Sequence, residues 1–170
     1  SREDEAKAIR TLIFEKAQEI EKNKKKINEL ETQISDYDTI VDNIGSYGKL
    51  TARLENEIAG YSTTNNFFTS HDNCPTCLQG ITPEHKKTME DDLTDRMSKA
   101  EKSLKKGQAV IEVLKKKKIA YDVVKGEIRI LENQNSGLMA TINSENERMK
   151  KLKKGFDSNG HDADLKKYKQ

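Results

Sequence analysis

Apolar residues recur with a period of seven along the first third of the chain, in two series offset by three or four residues. Two offset series of this period form the a and d seam of a left-handed coiled coil. Two successive steps of three at Val41, Ile44 and Tyr47 predict a small shift of the seam. The first series contains Ile13, Ile20, Ile27, Ile34 and Val41; the second contains Ile9, Leu30, Tyr37, Ile44 and Ile58; beyond the shift, we expect Leu50, Leu54, Ile58 and Tyr61 to continue the seam.

The same pattern returns in the second half of the chain and predicts a second helical arm. Polar residues occupy some seam positions, such as Asn23 in the first arm and Asn135 in the second. We assign the apolar positions to a helical core and expect no catalytic role for them. They are Leu114, Tyr121, Ile128, Ile142, Met149 and Phe156 in one series, and Val110, Val124, Leu131, Leu138 and Leu152 in the other.

Proline and glycine positions divide the chain into arm, loop and arm. The only prolines are Pro75 and Pro83. Gly60 suits the end of the first helix, and Thr82 before Pro83 predicts the start of the second. We therefore expect an N-terminal arm over 1–60, a loop over 61–81, a C-terminal arm over 82–156, and a frayed tail or continuation of the arm over 157–170. Gly45–Gly48, opposite Gly107, predicts a bend.

Opposite charge on the two arms favours their pairing within one chain. Residues 1–62 contain ten Lys or Arg against thirteen Asp or Glu, whereas residues 86–156 contain eighteen against eleven. An antiparallel fold brings Lys115–Lys118 near Asp36 and Lys150–Lys154 near Glu3–Glu5. The predicted fold class is all-α, a long antiparallel intramolecular coiled-coil hairpin with the loop at its apex.

The composition excludes a thick globular core and a membrane span. Charged residues make up 35% of the 170 residues, apolar residues 33%, and the mean hydropathy is −0.92. No stretch approaches the length of an apolar membrane span, and no signal-peptide pattern is present. We expect a cytoplasmic protein without membrane contact. The chain begins with Ser1 rather than Met, which suggests a piece of a longer protein.

The chemistry of the chain is concentrated in Cys74-Pro75-Thr76-Cys77. Two thiolates at this spacing can bind one tetrahedral zinc ion, and Pro75 stiffens the turn between them. A structural zinc requires four ligands, and the chain has no other cysteine. Either a second chain supplies two more thiolates, so that one ion is shared by two chains, or His71 and His85 complete an intrachain Cys2His2 site.

Other functions fit the sequence less well. A thioredoxin-like redox role requires a βαβ context, and no strand pattern surrounds the two cysteines. An inert pair of cysteines in a coiled-coil spacer remains an alternative. The sequence contains neither a phosphate-binding Gly-rich loop nor a His-Glu-x-x-His zinc motif. The lysine runs are solvated helix faces in our interpretation, so we expect neither catalysis nor direct DNA binding by this chain.

Two heptad arms interrupted by Cys74-Pro75-Thr76-Cys77 resemble the zinc hook of the SbcC/Rad-type DNA-repair ATPases, which are SMC-like proteins. The resemblance covers the arm–loop–arm plan and implies that Cys74 and Cys77 are metal ligands. It implies a homodimer joined by one zinc ion. It further implies an ATPase head, absent from this chain, that acts with a nuclease subunit on DNA ends. A bacteriophage-encoded member, working in the host cytoplasm, would also fit.

The loop offers candidates for the dimer interface. They are residues that flank the cysteines and have no predicted place in the helical seam. Phe67, Phe68, Leu78 and Ile81 either pack under the turn, which we favour, or meet the partner's turn. The interface set consists of Pro75, Thr76, Leu78, Phe67 and Phe68.

Overall fold

The computed structural model describes residues 1–168, with side chains described for residues 1–155. The backbone forms three α-helices: α1 (Arg2–Gln33), α2 (Tyr37–Ser70) and α3 (Pro83–Tyr168). No strand occurs among these residues; one isolated bridge joins Asn73 and Gly80. The predicted all-α class is therefore confirmed. The side chains of Phe156 and of the predicted tail over 157–170 lie outside the description, although α3 includes the backbone of 157–168.

The predicted first arm is not one helix, because the helical pattern stops at Ile34 and resumes at Tyr37. Backbone bonds that span three residues instead of four, from Ile34 N–H to Glu31 O (3.3 Å) and from Ser35 N–H to Thr32 O (3.4 Å), end α1 in a tighter turn. Helical bonding restarts with Ile40 N–H donating to Asp36 O at 3.0 Å. α2 continues without interruption through Gly45–Gly48, where the sequence predicts a bend.

Contacts divide the chain into two compact units, of which the first contains residues 1–35 and 122–170. In it, α1 runs antiparallel to the C-terminal part of α3, since Glu5 pairs with Arg148 and Asn23 with Asn135. Glu5 thus pairs with Arg148 rather than with the predicted Lys150–Lys154 run. The buried residues recur at heptad positions and are Ile9, Ile20, Leu30, Ile34 and Ile128.

The second unit, residues 36–121, pairs α2 with the N-terminal part of α3, also antiparallel. Lys117 meets Asp36 at 3.3 Å, as the charge pattern predicted, and Lys86 meets Asp72 near the other end of α2. Between them, Gly107 lies against the methyl group of Thr51. The buried side chains of this unit are Ile40, Thr51, Leu93 and Ala100.

The seam shifts earlier than predicted. At two places a residue predicted to be in the core is therefore exposed, and its neighbour in the chain is buried. Ile40 is buried with 3% exposure, whereas Val41, assigned to the seam, is 38% exposed. Leu50 is likewise exposed at 41%, and its neighbour Thr51 is buried. The two steps of three lie at Ile34, Tyr37 and Ile40, where the helix is interrupted, and not at Val41–Tyr47. From Ile40 onwards the regular alternation of three and four residues resumes.

The expected loop is shorter than the sequence indicated. Residue Gly60 does not end the helix, and α2 continues ten residues further to Ser70. The predicted start of the next helix is confirmed, because Pro83 is its first residue and the Thr82 hydroxyl accepts from His85 N–H at 3.1 Å. Within the described residues, no helix has the combination of length and apolar composition needed to cross a bilayer.

Candidate metal-ligand knuckle

Residues 71–82 connect α2 to α3 and fold into a short, internally bonded loop. Cys74 N–H donates to Gln79 O at 2.8 Å, and Ile81 N–H donates to Asp72 O at 2.7 Å. These two bonds form the isolated antiparallel bridge between Asn73 and Gly80 and hold the two sides of the loop together. They satisfy four backbone groups at the base of the loop and restrict the residues between them.

The cysteines lie in the tight turn Cys74–Leu78, here called the knuckle. Leu78 N–H donates to Cys74 O at 2.8 Å and closes the turn. Leu78 has a φ of 62°, and among the described residues it alone combines a positive φ with a side chain. A left-handed conformation costs a residue with a Cβ about 1–2 kcal/mol, so glycine is the usual occupant.

The two thiols lie together on the knuckle as free cysteines, Cys74 half-buried and Cys77 exposed. Hydrogen bonds from the backbone N–H of Cys77, and next of Thr76, lower the pKa of the Cys74 thiol. The Cys77 side chain also hydrogen-bonds Cys74 and acts in the same direction. Amide donors directed at sulfur favour the thiolate, which is the form that binds metal.

The histidines that could complete an intrachain site are engaged by aromatic side chains. The His71 ring stacks on Phe67 with centroids 4.7 Å apart, and its Nδ1 lies 3.0 Å from Phe67 O. The His85 ring meets the edge of Phe68 at 5.8 Å. In the described part of the chain, no three His, Cys, Asp or Glu side chains come together in a group able to hold a metal.

Phe67 and Phe68 belong to the last turns of α2, not to a loop as predicted. Their rings contact each other edge to face at 5.4 Å, and both are half-buried. They form, with the two histidine rings, an aromatic cluster at the ends of α2 and α3. In contrast, the knuckle residues Pro75, Thr76 and Leu78 are exposed, and the prediction that Leu78 packs under the turn is wrong.

An ion pair that was not predicted from the sequence joins the loop to α3. Lys86 Nζ lies 2.6 Å from a carboxylate oxygen of Asp72, and this contact lowers the pKa of Asp72. Asp72 precedes the knuckle and Lys86 lies in the first turns of α3, so the pair joins both sides of the loop. The sequence signal for this pair was the opposite charge of Asp72 and Lys86, which lie on either side of the cysteines and fourteen residues apart. The pair is largely exposed on the Asp72 side and contributes little stability alone.

The comparisons with known proteins gave no match, whether to a protein-family model, to a curated protein or to a solved structure. The candidate site therefore stands on its own geometry: two adjacent thiols in a closed turn, with amide donors directed at one sulfur.

Proposed function

We propose that this chain is a zinc-dependent dimerisation hook, in which Cys74 and Cys77 of two copies hold one shared zinc ion. In this proposal the helices form a long antiparallel coiled-coil hairpin, and the knuckle lies at its apex. The observation that carries the proposal is the pair of free thiols in one tight turn, which the bond from Leu78 N–H to Cys74 O closes at 2.8 Å, with Cys77 exposed.

The donor set supports zinc and a second chain. Thiolate ligands suit Zn²⁺, whose structural sites are tetrahedral and take four protein ligands. One knuckle offers two thiolates, and the histidines that flank it in the sequence, His71 and His85, pack against Phe67 and Phe68. Two further thiolates from a second copy would complete the set without moving either histidine.

The surroundings of the thiols support access by a second copy. Cys77 and its neighbours Pro75 and Thr76 are exposed, so a second knuckle can approach the ligands directly. The two backbone bonds at the base of the loop and the Asp72–Lys86 pair hold the knuckle before metal binds. When bound, zinc supplies only a cross-link, and the protein residues orient the thiols and stabilise their ionised form.

The larger biological role follows from the resemblance to SbcC/Rad-type repair ATPases and is also a proposal. In it, this chain is the non-catalytic tether of an SMC-like ATPase that works with a nuclease on DNA ends in the cytoplasm. The two helical arms would connect the hook to an ATPase head that this chain does not contain. The tethering function can be tested without that head.

The test is the dependence of the oligomeric state on metal and on the thiols. We expect sedimentation to show dimers with zinc, monomers with a strong chelator, and monomers in both conditions for Cys74→Ser plus Cys77→Ser. As matched controls, His71→Phe and His85→Phe keep an aromatic ring and remove the ring nitrogens. These variants should still form zinc-dependent dimers.

Two results would contradict the proposal. A wild-type chain that remains monomeric at saturating zinc has no hook function. Loss of zinc binding in His71→Phe or His85→Phe, with both cysteines intact, would instead support a Cys2His2 site within one chain.

A further inference from the structure

Leu78 is the most exposed of the large apolar side chains in the described part of the chain, at 80%. It directly follows Cys77 and closes the knuckle through its bond to Cys74 O. Its position in the chain therefore places it next to one of the two proposed ligands. An isolated exposed leucine is ordinary on a protein surface, so exposure alone says little.

The backbone conformation makes Leu78 unusual. With a φ of 62°, it occupies a region that favours glycine, because a Cβ there crowds the backbone. A leucine at this position thus adds strain to the separate chain and, at this exposure, gains almost no burial. Glycine would avoid the strain, and asparagine would tolerate it better while remaining compatible with water.

We infer that Leu78 is an apolar contact residue for the knuckle of a second copy, and that it determines how tightly the two copies pair. This inference rests on the proposed zinc-mediated pairing. If two knuckles share one ion, a residue adjacent to a ligand lies close to the other chain. In a two-fold interface both copies bury the same residue, so one leucine per chain contributes twice.

The partner that contacts Leu78 is a second copy of this chain, because the proposed zinc site lacks two ligands. The knuckle provides two thiolates of four, and the missing pair comes from an identical knuckle carrying its own Leu78. Burial of both leucines would remove apolar surface from water around the ion. The exposed Pro75 and Thr76 lie on the same knuckle, and neither combines a large apolar side chain with a left-handed backbone.

Three substitutions in the full chain separate apolar contact from backbone strain. Leu78→Gly removes the side chain and the strain, whereas Leu78→Asn keeps a similar size, tolerates the conformation and is polar. Leu78→Met keeps an apolar side chain in the same conformation and is the matched control. The dimer dissociation constant at saturating zinc is measured by sedimentation, and zinc-free thermal unfolding is followed by circular dichroism.

We expect Leu78→Gly and Leu78→Asn to raise the dissociation constant at least about tenfold, because each dimer loses two buried leucines. Leu78→Met should stay within about threefold of the wild type. Neither Leu78→Gly nor Leu78→Asn should lower the zinc-free unfolding temperature, since both relieve strain. Such a result separates the dimer contact from a role in folding.

Equal dissociation constants for the wild type, Leu78→Gly and Leu78→Asn would overturn the inference and leave the zinc hook intact. A Leu78→Met dimer as weak as the Leu78→Asn dimer would also overturn it, because apolarity would not be the determinant. If the wild type forms no dimer with zinc, both the proposed function and this inference are wrong.

Discussion

At the scale of single residues, Gly107 determines how closely α2 and α3 approach within the second unit. A Cβ built at Gly107 would lie 3.0 Å from the Thr51 methyl carbon, which is tighter than ordinary packing. The Thr51 hydroxyl donates to Gly48 O at 2.9 Å and holds its rotamer. The methyl group therefore has little freedom to move away from an added side chain.

Gly107→Ala should lower the free energy of unfolding, in spite of the better helix propensity of alanine. Overpacking costs about 1–3 kcal/mol, against about 1 kcal/mol gained by replacing a helical glycine. Gly137→Ala is the matched control, because nothing lies within 4 Å of its added Cβ, and it should be stabilising. Urea unfolding followed by circular dichroism measures both.

Thr51→Ser in the Gly107→Ala background removes the opposing methyl group and keeps the hydroxyl bond. The double variant should recover stability relative to Gly107→Ala alone. If Gly107→Ala is as stabilising as Gly137→Ala, the close contact is not a constraint on the helix pair.

Local backbone features could be predicted from the sequence where they depended on residues close together in the chain. The Cys-x-x-Cys spacing predicted a tight turn, and Thr82-Pro83 predicted the start of α3. The partners of His71 and His85 were not predictable, because they depend on α2 continuing past Gly60 to carry Phe67 and Phe68 to the loop. The sequence alone does not distinguish a glycine inside a helix, such as Gly60, from a glycine that ends a helix.

At the scale of helices, the interruption between α1 and α2 coincides with two successive three-residue steps in the seam. Such a shortened step overwinds a coiled coil locally. Tyr37 lies at its centre and stacks on Tyr121 of α3, with centroids 6.5 Å apart. The seam of α3 also takes two steps of three, through Lys118, Tyr121 and Val124, but its helix is continuous.

Polar groups stabilise the start of α2 in place of a regular cap. The Asp36 carboxylate accepts from Tyr121 OH at 2.8 Å and pairs with Lys117 at 3.3 Å. The Tyr121 hydrogen bond, followed by that of Lys117, lowers the pKa of Asp36, and the Asp36 contact raises the pKa of Tyr121. The heptad pattern predicted a shift of the seam in the first arm but placed it too late in the chain. Its position depends on contacts between Asp36 and α3, which the sequence of one arm does not reveal.

The register of α1 against α3 is marked by a polar pair in the first unit. Asn23 Nδ2 donates to Asn135 Oδ1 at 2.9 Å, and Asn135 Nδ2 reaches Ile20 O at 3.4 Å. The heptad pattern identified both asparagines as polar residues in the seam. Their contact could not be predicted, because it depends on how α1 and α3 are aligned along their length. Buried amide pairs in a coiled coil lower stability and specify register.

Asn23→Leu or Asn135→Leu alone should destabilise the chain by about 1–3 kcal/mol, because each leaves a part-buried amide without its partner. The double variant should be more stable than either single variant and at least as stable as the wild type. Asn28→Leu, on the exposed face of α1, is the control and should change little. Additive effects of Asn23→Leu and Asn135→Leu in urea unfolding would show that the amides do not interact.

At the scale of the whole molecule, the proposed zinc hook raises the question of where two further ligands would come from. The chain has two cysteines, and its described residues bring no third His, Cys, Asp or Glu to them. The sequence predicted the helical class and the two thiols. It could not predict the aromatic packing of the histidines, which favours ligands from a second copy over ligands from the same chain.

Native mass spectrometry with zinc and with a chelator tests the zinc-hook proposal most directly, because it reports the metal count and the chain count of one species. If the chain is a zinc hook, we expect two chains with one zinc ion, which become zinc-free single chains after chelation. A single chain carrying one zinc ion, or a dimer whose abundance does not depend on zinc, would contradict it.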